Sequence, residues 1–210
     1  MKTFIVGPIL VLGLTVLPTE SLGQGVDVGV SGVALLSIQP RDDTFTTGPY
    51  LNEGQGGFGP AWGAGLSVIA PARFAVVGEF TTAQFQMVQA GRLISGFGAD
   101  ELADRISEWR DSLLSGLVGY VHPWGNHTRL LYLGGVSMRT GELRIDGEVK
   151  DVDTSKVGVT GGVDVLRMFG TRSALVISAR YSFIDRKDMI SYGIGPHVFR
   201  IGAGIRLRIN

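Results

Sequence analysis

The sequence predicts an all-β protein whose strands form an eight-stranded antiparallel up-and-down barrel. Three observations lead to this fold. Apolar residues alternate with small or polar ones at a period of two in one segment after another. Short and long links alternate between these segments, as they do in a meander. Glycine is abundant, with 32 of the 210 residues, and a narrow barrel needs small residues beside its larger interior side chains.

The first 23 residues have the features of a signal peptide. Lys2 gives a short positive start, and the apolar run Phe4–Leu17 spans 14 residues, which is too short to remain as a helical membrane anchor. Pro18 ends the run, and Ser21-Leu22-Gly23 offers small residues at the positions that a signal peptidase reads. We expect residues 1–23 to be removed and residues 24–210 to form the barrel domain of an exported protein.

Five segments show clear alternation, and the last of them shows it most plainly. Its apolar face holds Phe199, Ile201, Ala203, Ile205, Leu207 and Ile209. The other clear segments lie near residues 62–70, 74–81, 156–165 and 175–183. Three more strands are expected at Val26–Leu36, Leu113–Val121 and Arg129–Met138. These three carry glycines and leucines on both faces, so the pattern leaves their register open.

The links between the strands differ in length in a regular order. The three short ones are Ala70–Arg73, His122–His127 and Met168–Arg172. The four long ones are Gln39–Gly59, Gln86–Asp111, Arg139–Ser155 and Asp185–Gly195. This order places every long link at one rim and both chain ends at the other, which is typical of outer-membrane barrels. In the second long link, Leu102, Ile106 and Trp109 recur at helical spacing, so we expect a short helix over Asp100–Arg110.

A soluble barrel with an apolar ligand cavity would alternate in the same way, with its faces reversed. The glycines favour the membrane alternative, because Gly158, Gly162, Gly202 and Gly204 stand among the polar residues. A solvated outer face would favour long polar side chains, whereas glycine weakens a strand and suits a crowded interior. Aromatic residues near strand ends or on apolar faces also match the girdles of membrane barrels. We therefore expect the apolar face to contact lipid.

The signal, the eight alternating strands and the closing segment Arg200–Asn210 resemble the small outer-membrane β-barrel proteins, the class that includes the OmpA and OmpX transmembrane domains. The resemblance covers all of residues 24–210. It implies a location in the bacterial outer membrane, with membrane lipid and the barrel-assembly machinery as partners. Members of the class usually end on an aromatic residue that this machinery recognises, whereas this sequence closes on Ile209 and Asn210.

Composition and spacing give little support to catalysis or to metal binding. The 19 basic and 19 acidic residues cancel, which removes the electrostatic basis of a nucleic-acid binder, and the absence of cysteine excludes thiolate sites. His197, Ser191 and Asp185 could form a serine-histidine-acid site. The histidine and serine spacing of lipid A deacylases does not match, because Phe199 stands two residues after His197. The acid pairs Asp42 and Asp43, and Asp151 and Asp153, lack the further ligands of a calcium loop. We expect no enzyme activity, no metal and no cofactor.

The polar faces carry charged residues that a barrel would enclose, namely Asp27, Glu79, Lys156, Asp164, Arg180, Arg200 and Arg206. Enclosed charges must pair or hold water. Glu79 lies five residues past Phe74 and Arg180 five past Leu175, so we expect the two charges to meet across the lumen.

This charge network predicts a plugged barrel with a structural or envelope-integrity role, whose outer loops are available for binding or adhesion. Two alternatives remain open at this point. One is a small pore, and the other is an exported soluble barrel that binds an apolar ligand.

Overall fold

The computed structural model describes residues 25–39, 45–47, 50–53, 57–93, 101–145, 148–150, 155–184 and 195–209. Their strands, in chain order, are β1 (Asp27–Gln39), β2 (Phe45–Thr47), β3 (Tyr50–Glu53), β4 (Gly57–Ile69), β5 (Phe74–Leu93), β6 (Glu101–Pro123), β7 (Thr128–Ile145), β8 (Glu148–Lys150), β9 (Lys156–Met168), β10 (Ser173–Phe183) and β11 (His197–Arg208). Within these residues, no helix is long and apolar enough to cross a membrane. Residues 1–23 lie outside the described ranges, so the signal peptide stays a prediction.

The eight long strands close into one antiparallel barrel in the order β1, β4, β5, β6, β7, β9, β10 and β11. The ring closes between its first and last strands, where Gly29 lies opposite Arg208 and Ile38 lies opposite Phe199. The eight-stranded fold is therefore confirmed, and the ring closes between the expected first strand, Val26–Leu36, and the last. Closure removes every open edge from the wall, which matters because an unpaired backbone group in hydrocarbon costs several kcal/mol.

The three short links form tight turns at one end of the barrel, which we call the turn rim. In each turn the backbone N–H of its first residue donates to a carbonyl four residues later, as in Ala70 to Phe74 at 2.8 Å. Gly125 in the second turn has a φ of 73°, a left-handed conformation that glycine adopts without a steric cost. After β11, Ile209 N donates to Val28 O at 2.8 Å, so both ends of the barrel domain lie at this same rim.

The opposite end, the loop rim, contains more strand than the sequence predicts. The helix expected over Asp100–Arg110 is wrong, because residues 101–110 belong to β6. They pair with an extended β5, in which Arg92 lies opposite Glu101 and Gln84 lies opposite Arg110. Backbone hydrogen bonds to a neighbouring strand outweigh the helical spacing of three apolar residues, which is a weak signal over so short a segment.

Two of the other long links, the first and the third, are also partly strand, so their expected bounds need correction. The fourth, Asp185–Gly195, lies outside the described residues except for Gly195. The first link contains β2 and β3, and β3 pairs with the extension of β5. The third link contains the end of β7 and the short strand β8, which pair with each other. The loop rim is thus built from hairpins that continue beyond the barrel wall.

Side chains alternate between the lumen and the outer surface along each barrel strand. On β11, Phe199, Ile201 and Ile205 are exposed while Arg200 and Arg206 are buried. The same outward apolar exposure is found around the ring at Val30, Leu36, Trp62, Val76, Phe80, Val118, Val136, Val159 and Ile177. An apolar band of this extent suits the hydrocarbon region of a bilayer and not water. The faces are therefore as predicted, with the apolar face outward.

Candidate functional site

Charged side chains that point inward form three clusters along the lumen. The lower cluster lies near the turn rim and joins the first and last strands. Arg206 Nη2 lies 2.7 Å from Asp27 Oδ1, and Arg206 Nε donates to Ser67 Oγ at 2.8 Å. Arg129 Nη1 donates to the second carboxylate oxygen of Asp27 at 3.0 Å. One buried carboxylate thus binds two guanidinium groups directly, and a third, that of Arg208, lies 3.9 Å away at the seam where the barrel closes.

The lower cluster depends on a glycine beside it. A Cβ atom at Gly29 would lie 2.5 Å from Arg206 Cζ, so a larger residue there would displace this guanidinium from its position against the wall. This is the crowding that the sequence predicts for glycines on the polar face.

The central cluster places Arg180 between two carboxylates. Arg180 Nη2 lies 3.0 Å from Glu79 Oε2, and Arg180 Nη1 lies 2.7 Å from Asp164 Oδ1. Three further hydrogen bonds complete the pairing, from Arg180 Nε to the two oxygens of Glu79 at 3.1 Å and 3.2 Å and from Nη2 to Asp164 at 2.9 Å. The guanidinium fork therefore binds two carboxylates in bidentate fashion, the strongest geometry available to such pairs. The contact expected between Glu79 and Arg180 is present.

The upper cluster centres on Asp111, which is shared by two arginines. Arg139 Nε lies 2.5 Å from Asp111 Oδ1, and Arg200 Nη2 lies 3.0 Å from Asp111 Oδ2. The side chains of Asp111 and Arg139 are both 0% exposed. Arg200 also donates to Ser37 Oγ at 3.3 Å and to Thr81 Oγ1. Each carboxylate oxygen of Asp111 is thereby matched to a cation.

On the loop-rim side of Asp111, the backbone just before β11 lies over the lumen and is held there by two side chains. The carbonyl of Gly195 accepts hydrogen bonds from Gln39 Nε2 at 3.2 Å and from Arg139 Nη1 at 3.4 Å. The Arg139 guanidinium lies 6.0 Å from the centre of the Trp109 ring, and that ring is fully buried. Two strands on different sides of the ring thus hold one backbone carbonyl over the lumen.

The charges of the central and upper clusters balance. Three carboxylates, Glu79, Asp111 and Asp164, face three guanidiniums, Arg139, Arg180 and Arg200. Since burial of an unmatched charge is costly, this balance allows six charges to share a confined interior.

A row of hydroxyl groups crosses four strands beside these clusters. Ser137 Oγ lies 2.6 Å from both Ser115 Oγ and Thr160 Oγ1, and Thr160 Oγ1 lies 2.8 Å from Ser182 Oγ. Each of these side chains is buried. In this row the hydroxyl groups satisfy one another's hydrogen bonds without any charge, and their side chains line the lumen from β6 to β10.

Toward the turn rim, aliphatic side chains fill the other side of the lumen. This apolar layer consists of Ile69, Ala75, Val77, Leu117, Val121, Leu131, Leu133, Leu166 and Val176. It explains why leucines occur on both faces of β6 and β7. Some of them face lipid, as in ordinary membrane strands, and the others pack inside the barrel.

A small cavity remains beside the glycines of β4. Its volume is about 40 Å³, and its lining includes Gly63, Gly65 and Glu79. Arg200 lines it toward the loop rim and Arg206 toward the turn rim. A space of this size holds on the order of three water molecules. It lies between these two arginines.

The structure brings together six of the seven lumen residues expected from the sequence. Asp27 and Arg206 meet in the lower cluster, Glu79, Asp164 and Arg180 in the central one, and Arg200 joins the upper one. Lys156 lies at the start of β9, half-buried and opposite Arg139 in strand register.

Sequence reasoning missed Asp111 and Arg139, since it assigned both residues to the ends of long links. A signal for both was present. Asp111 continues the alternation of Leu113, Ser115 and Leu117, while Arg139 continues that of Ser137.

The other sites considered from the sequence receive little structural context. Ser191 and Asp185 lie outside the described residues, as do the acid pairs Asp42 and Asp43, and Asp151 and Asp153. His197 is described, and its Nδ1 lies 2.7 Å from the Tyr181 hydroxyl. The two rings also stack, with their centres 5.9 Å apart. His197 is therefore engaged at the outer aromatic surface.

The closed ring, its apolar outer band and its charged lumen define the fold of a small transmembrane β-barrel. Solved structures with the same fold include neisserial surface protein A, NspA, which is 12% identical with a TM-score of 0.57 over 89% of this chain and 100% of that one. OprG from Pseudomonas aeruginosa is 12% identical, with a TM-score of 0.55 over 87% and 96% of the two chains.

A third structure of this fold is Ail, the attachment invasion locus protein of Yersinia pestis. In complex with the heparin analogue sucrose octasulfate, it is 14% identical to this chain, with a TM-score of 0.52 over 88% and 99% of the two chains. No protein-family model matches the sequence, and no curated protein matches it. Identities this low show a common fold.

Proposed function

We propose that this protein is a non-catalytic outer-membrane barrel with a structural, envelope-integrity role. Its lumen is plugged by its own side chains, and its loop rim presents hairpins for binding or adhesion. The observation that carries the proposal is the stacking of buried ion-paired clusters along the lumen, from Asp27 at one end to Asp111 near the other. An eight-stranded barrel is just wide enough for its interior to be filled in this way.

The arrangement supports a plug because each arginine that crosses the lumen is bound by more than one side chain. Arg180 is fixed by Glu79 and Asp164, and Arg200 is fixed by Asp111, Ser37 and Thr81. An ion that moves through the lumen would have to separate these pairs. Since truncating one partner of a buried pair costs about 3–5 kcal/mol, thermal opening would be rare.

A small pore is the second candidate, and the cavity between Arg200 and Arg206 is the observation that favours it. Polar residues, among them Glu79 and Asp164, line this space together with glycines and aliphatic side chains, and the polar groups give water its hydrogen-bond partners. Loss of the arginines at its two ends would lengthen it along the wall formed by β1, β4 and β11.

Single-channel recording in planar bilayers tests the two candidates. The wild-type barrel should give no stable conductance steps. The Arg200→Ala, Arg206→Ala double variant should give small steps, because both ends of the cavity lose their side chains. The matched control is Ile201→Ala with Leu207→Ala, which shortens two lipid-facing side chains of the same strand and should stay silent. Stable steps from the wild-type protein would reject the plug in favour of the pore.

The binding role of the loop rim rests on its construction. The extended hairpins of β5 and β6 and the added strands β2 and β3 give the loops a framework beyond the barrel wall. Ail in complex with a heparin analogue supports ligand binding as a role that this fold can carry.

Deletion of the first long link should abolish binding to a surface partner while leaving the barrel folded. Recognition by the barrel-assembly machinery belongs to the same proposal.

A further inference from the structure

Arginines surround the turn rim without an equal number of acids. Arg73, Arg167 and Arg172 are all exposed there, and we call these three the basic rim. His122 and His127 are exposed at the same end. Among the described residues of the turns and the strand ends next to them, Asp27 is the single acid. It is buried and already binds Arg206 and Arg129.

The basic rim lies level with an aromatic surface. Phe74 and Trp124 are each 63% exposed, and Phe169 is 64% exposed. Each of them lies in a turn or directly next to one. Aromatic rings of this kind mark the level where the hydrocarbon of a bilayer meets its headgroups. Cations beside such rings stand where lipid phosphates lie.

Contacts tie two of the three arginines to this level. Arg73 Nη1 donates to the hydroxyl of the lipid-facing Tyr120 at 3.2 Å, and the Arg73 carbonyl accepts from Val121 N. Arg167 faces outward on β9, and its Nη1 lies 3.5 Å from Thr128 Oγ1. The turn that contains Trp124 lies between these two contacts, because Tyr120 precedes it and Thr128 follows it.

The geometry points to an anionic phospholipid as the occupant of the basic rim. We propose that Arg73, Arg167 and Arg172 bind the phosphates of anionic headgroups in the leaflet next to the turns. Guanidinium groups pair with phosphate oxygens through parallel N–H donors, and the adjacent aromatic side chains contact the upper acyl chains. This inference rests on the proposed membrane location, in which the turn rim faces the periplasm.

Charge complementarity favours an anionic headgroup at the basic rim over the zwitterionic headgroups of the bulk lipid. A zwitterionic headgroup brings no net charge to the three arginines, whereas an anionic one does. Each arginine near an anionic surface strengthens the attraction roughly fivefold at moderate ionic strength. The effect is electrostatic, and it should weaken when salt shortens the screening length.

Trp124 provides a reporter for the test. The barrel is folded into vesicles that contain phosphatidylglycerol and phosphatidylcholine at equal mole fraction. In one preparation the phosphatidylglycerol carries bromine near its headgroup, and in the other the phosphatidylcholine does. Trp62→Phe removes the other exposed tryptophan, while the buried Trp109 is shielded from the quencher. We expect brominated phosphatidylglycerol to quench Trp124 several-fold more strongly, and high salt to reduce the difference.

A triple variant, Arg73→Gln, Arg167→Gln and Arg172→Gln, should bring the two quenching efficiencies close together. The matched control is Arg110→Gln, which removes an exposed arginine at the loop rim and should leave the preference unchanged. Equal quenching by both lipids with the three arginines in place would overturn the lipid proposal. If the triple variant instead loses affinity for soluble heparin, the rim would be assigned to a soluble polyanion. A barrel that neither lipid quenches would contradict the membrane location itself.

Discussion

Asp111 differs from Glu79 and Asp164 because two buried arginines depend on it. Arg139 and Arg200 approach its two oxygens at 2.5 Å and 3.0 Å, and all three side chains are almost completely buried. Arg180, in contrast, is shared by two carboxylates, so the loss of either one leaves it a partner. The number of partners left after a substitution therefore decides its cost.

We predict that Asp111→Asn destabilises the barrel by about 3–5 kcal/mol, since two buried guanidiniums would then face each other without a counter-charge. Urea unfolding of the barrel in detergent or lipid measures this loss. Adding Arg139→Gln to Asp111→Asn should recover part of it, because one uncompensated charge is removed. Losses that simply add would show that the two residues are not coupled.

Glu79→Ala is the comparison for Asp111→Asn, and we predict a smaller loss, about 1–3 kcal/mol. Arg180 should keep its other partner in this variant, since Asp164 Oδ1 lies 2.7 Å from Arg180 Nη1 in the wild-type barrel. The double change to Ala at Glu79 and Arg180 should couple by at least about 0.5 kcal/mol. A loss at Glu79 equal to that at Asp111 would contradict the role of the second carboxylate.

Among the individual residues of the charged lumen, the sequence predicted some and missed others. Inward positions on clearly alternating strands, such as Arg180 and Arg206, could be identified because their faces were unambiguous. Asp111 and Arg139 were missed, because the strands continue past the apolar band, where hydropathy no longer marks them and only the alternation of their neighbours does. The apolar layer inside the barrel was also missed, since a leucine that packs in the lumen has the same sequence signal as one that faces lipid.

Strand position governs what a substitution on the outer surface should cost. Ile177 lies in the middle of β10 and is 46% exposed, whereas Leu207 lies near the turn rim at the end of β11. We predict that Ile177→Arg costs about 2–4 kcal/mol and Leu207→Arg about 0–1 kcal/mol, as expected for a charge at the midplane and near the interface.

Unfolding of these two variants in lipid vesicles measures the difference between them. Both residues face outward, so the comparison varies depth alone. Equal and small losses would indicate that the surface around Ile177 contacts water.

Among the elements, the barrel strands and the short turns could be predicted from the sequence, but the loop rim could not. Alternation predicts a strand well where one face is apolar and the other is not. Along residues 101–110 both faces are largely polar, and the pairing with β5 depends on contacts that local spacing does not encode. The expected helix failed for that reason.

The whole ring should behave as one cooperative unit, because every strand is hydrogen-bonded on both sides. We predict that the folded barrel remains compact in sodium dodecyl sulfate without heating and migrates differently from the boiled chain on a gel. Extraction from membranes should also require detergent. Identical mobility before and after boiling, with release by salt or carbonate alone, would contradict a closed membrane barrel.

The seam between β1 and β11 implies an order in which the contacts of the barrel form during folding. The contact between Asp27 and Arg206 joins positions 179 residues apart, whereas each hairpin joins close neighbours in the chain. Because the entropic cost of bringing two segments together grows with their separation, this contact should be among the last to form. An incompletely closed sheet would carry Asp27 and Arg206 unpaired at its two free edges. The same pair that stabilises the finished barrel would therefore penalise every unfinished one, which favours all-or-none completion during assembly.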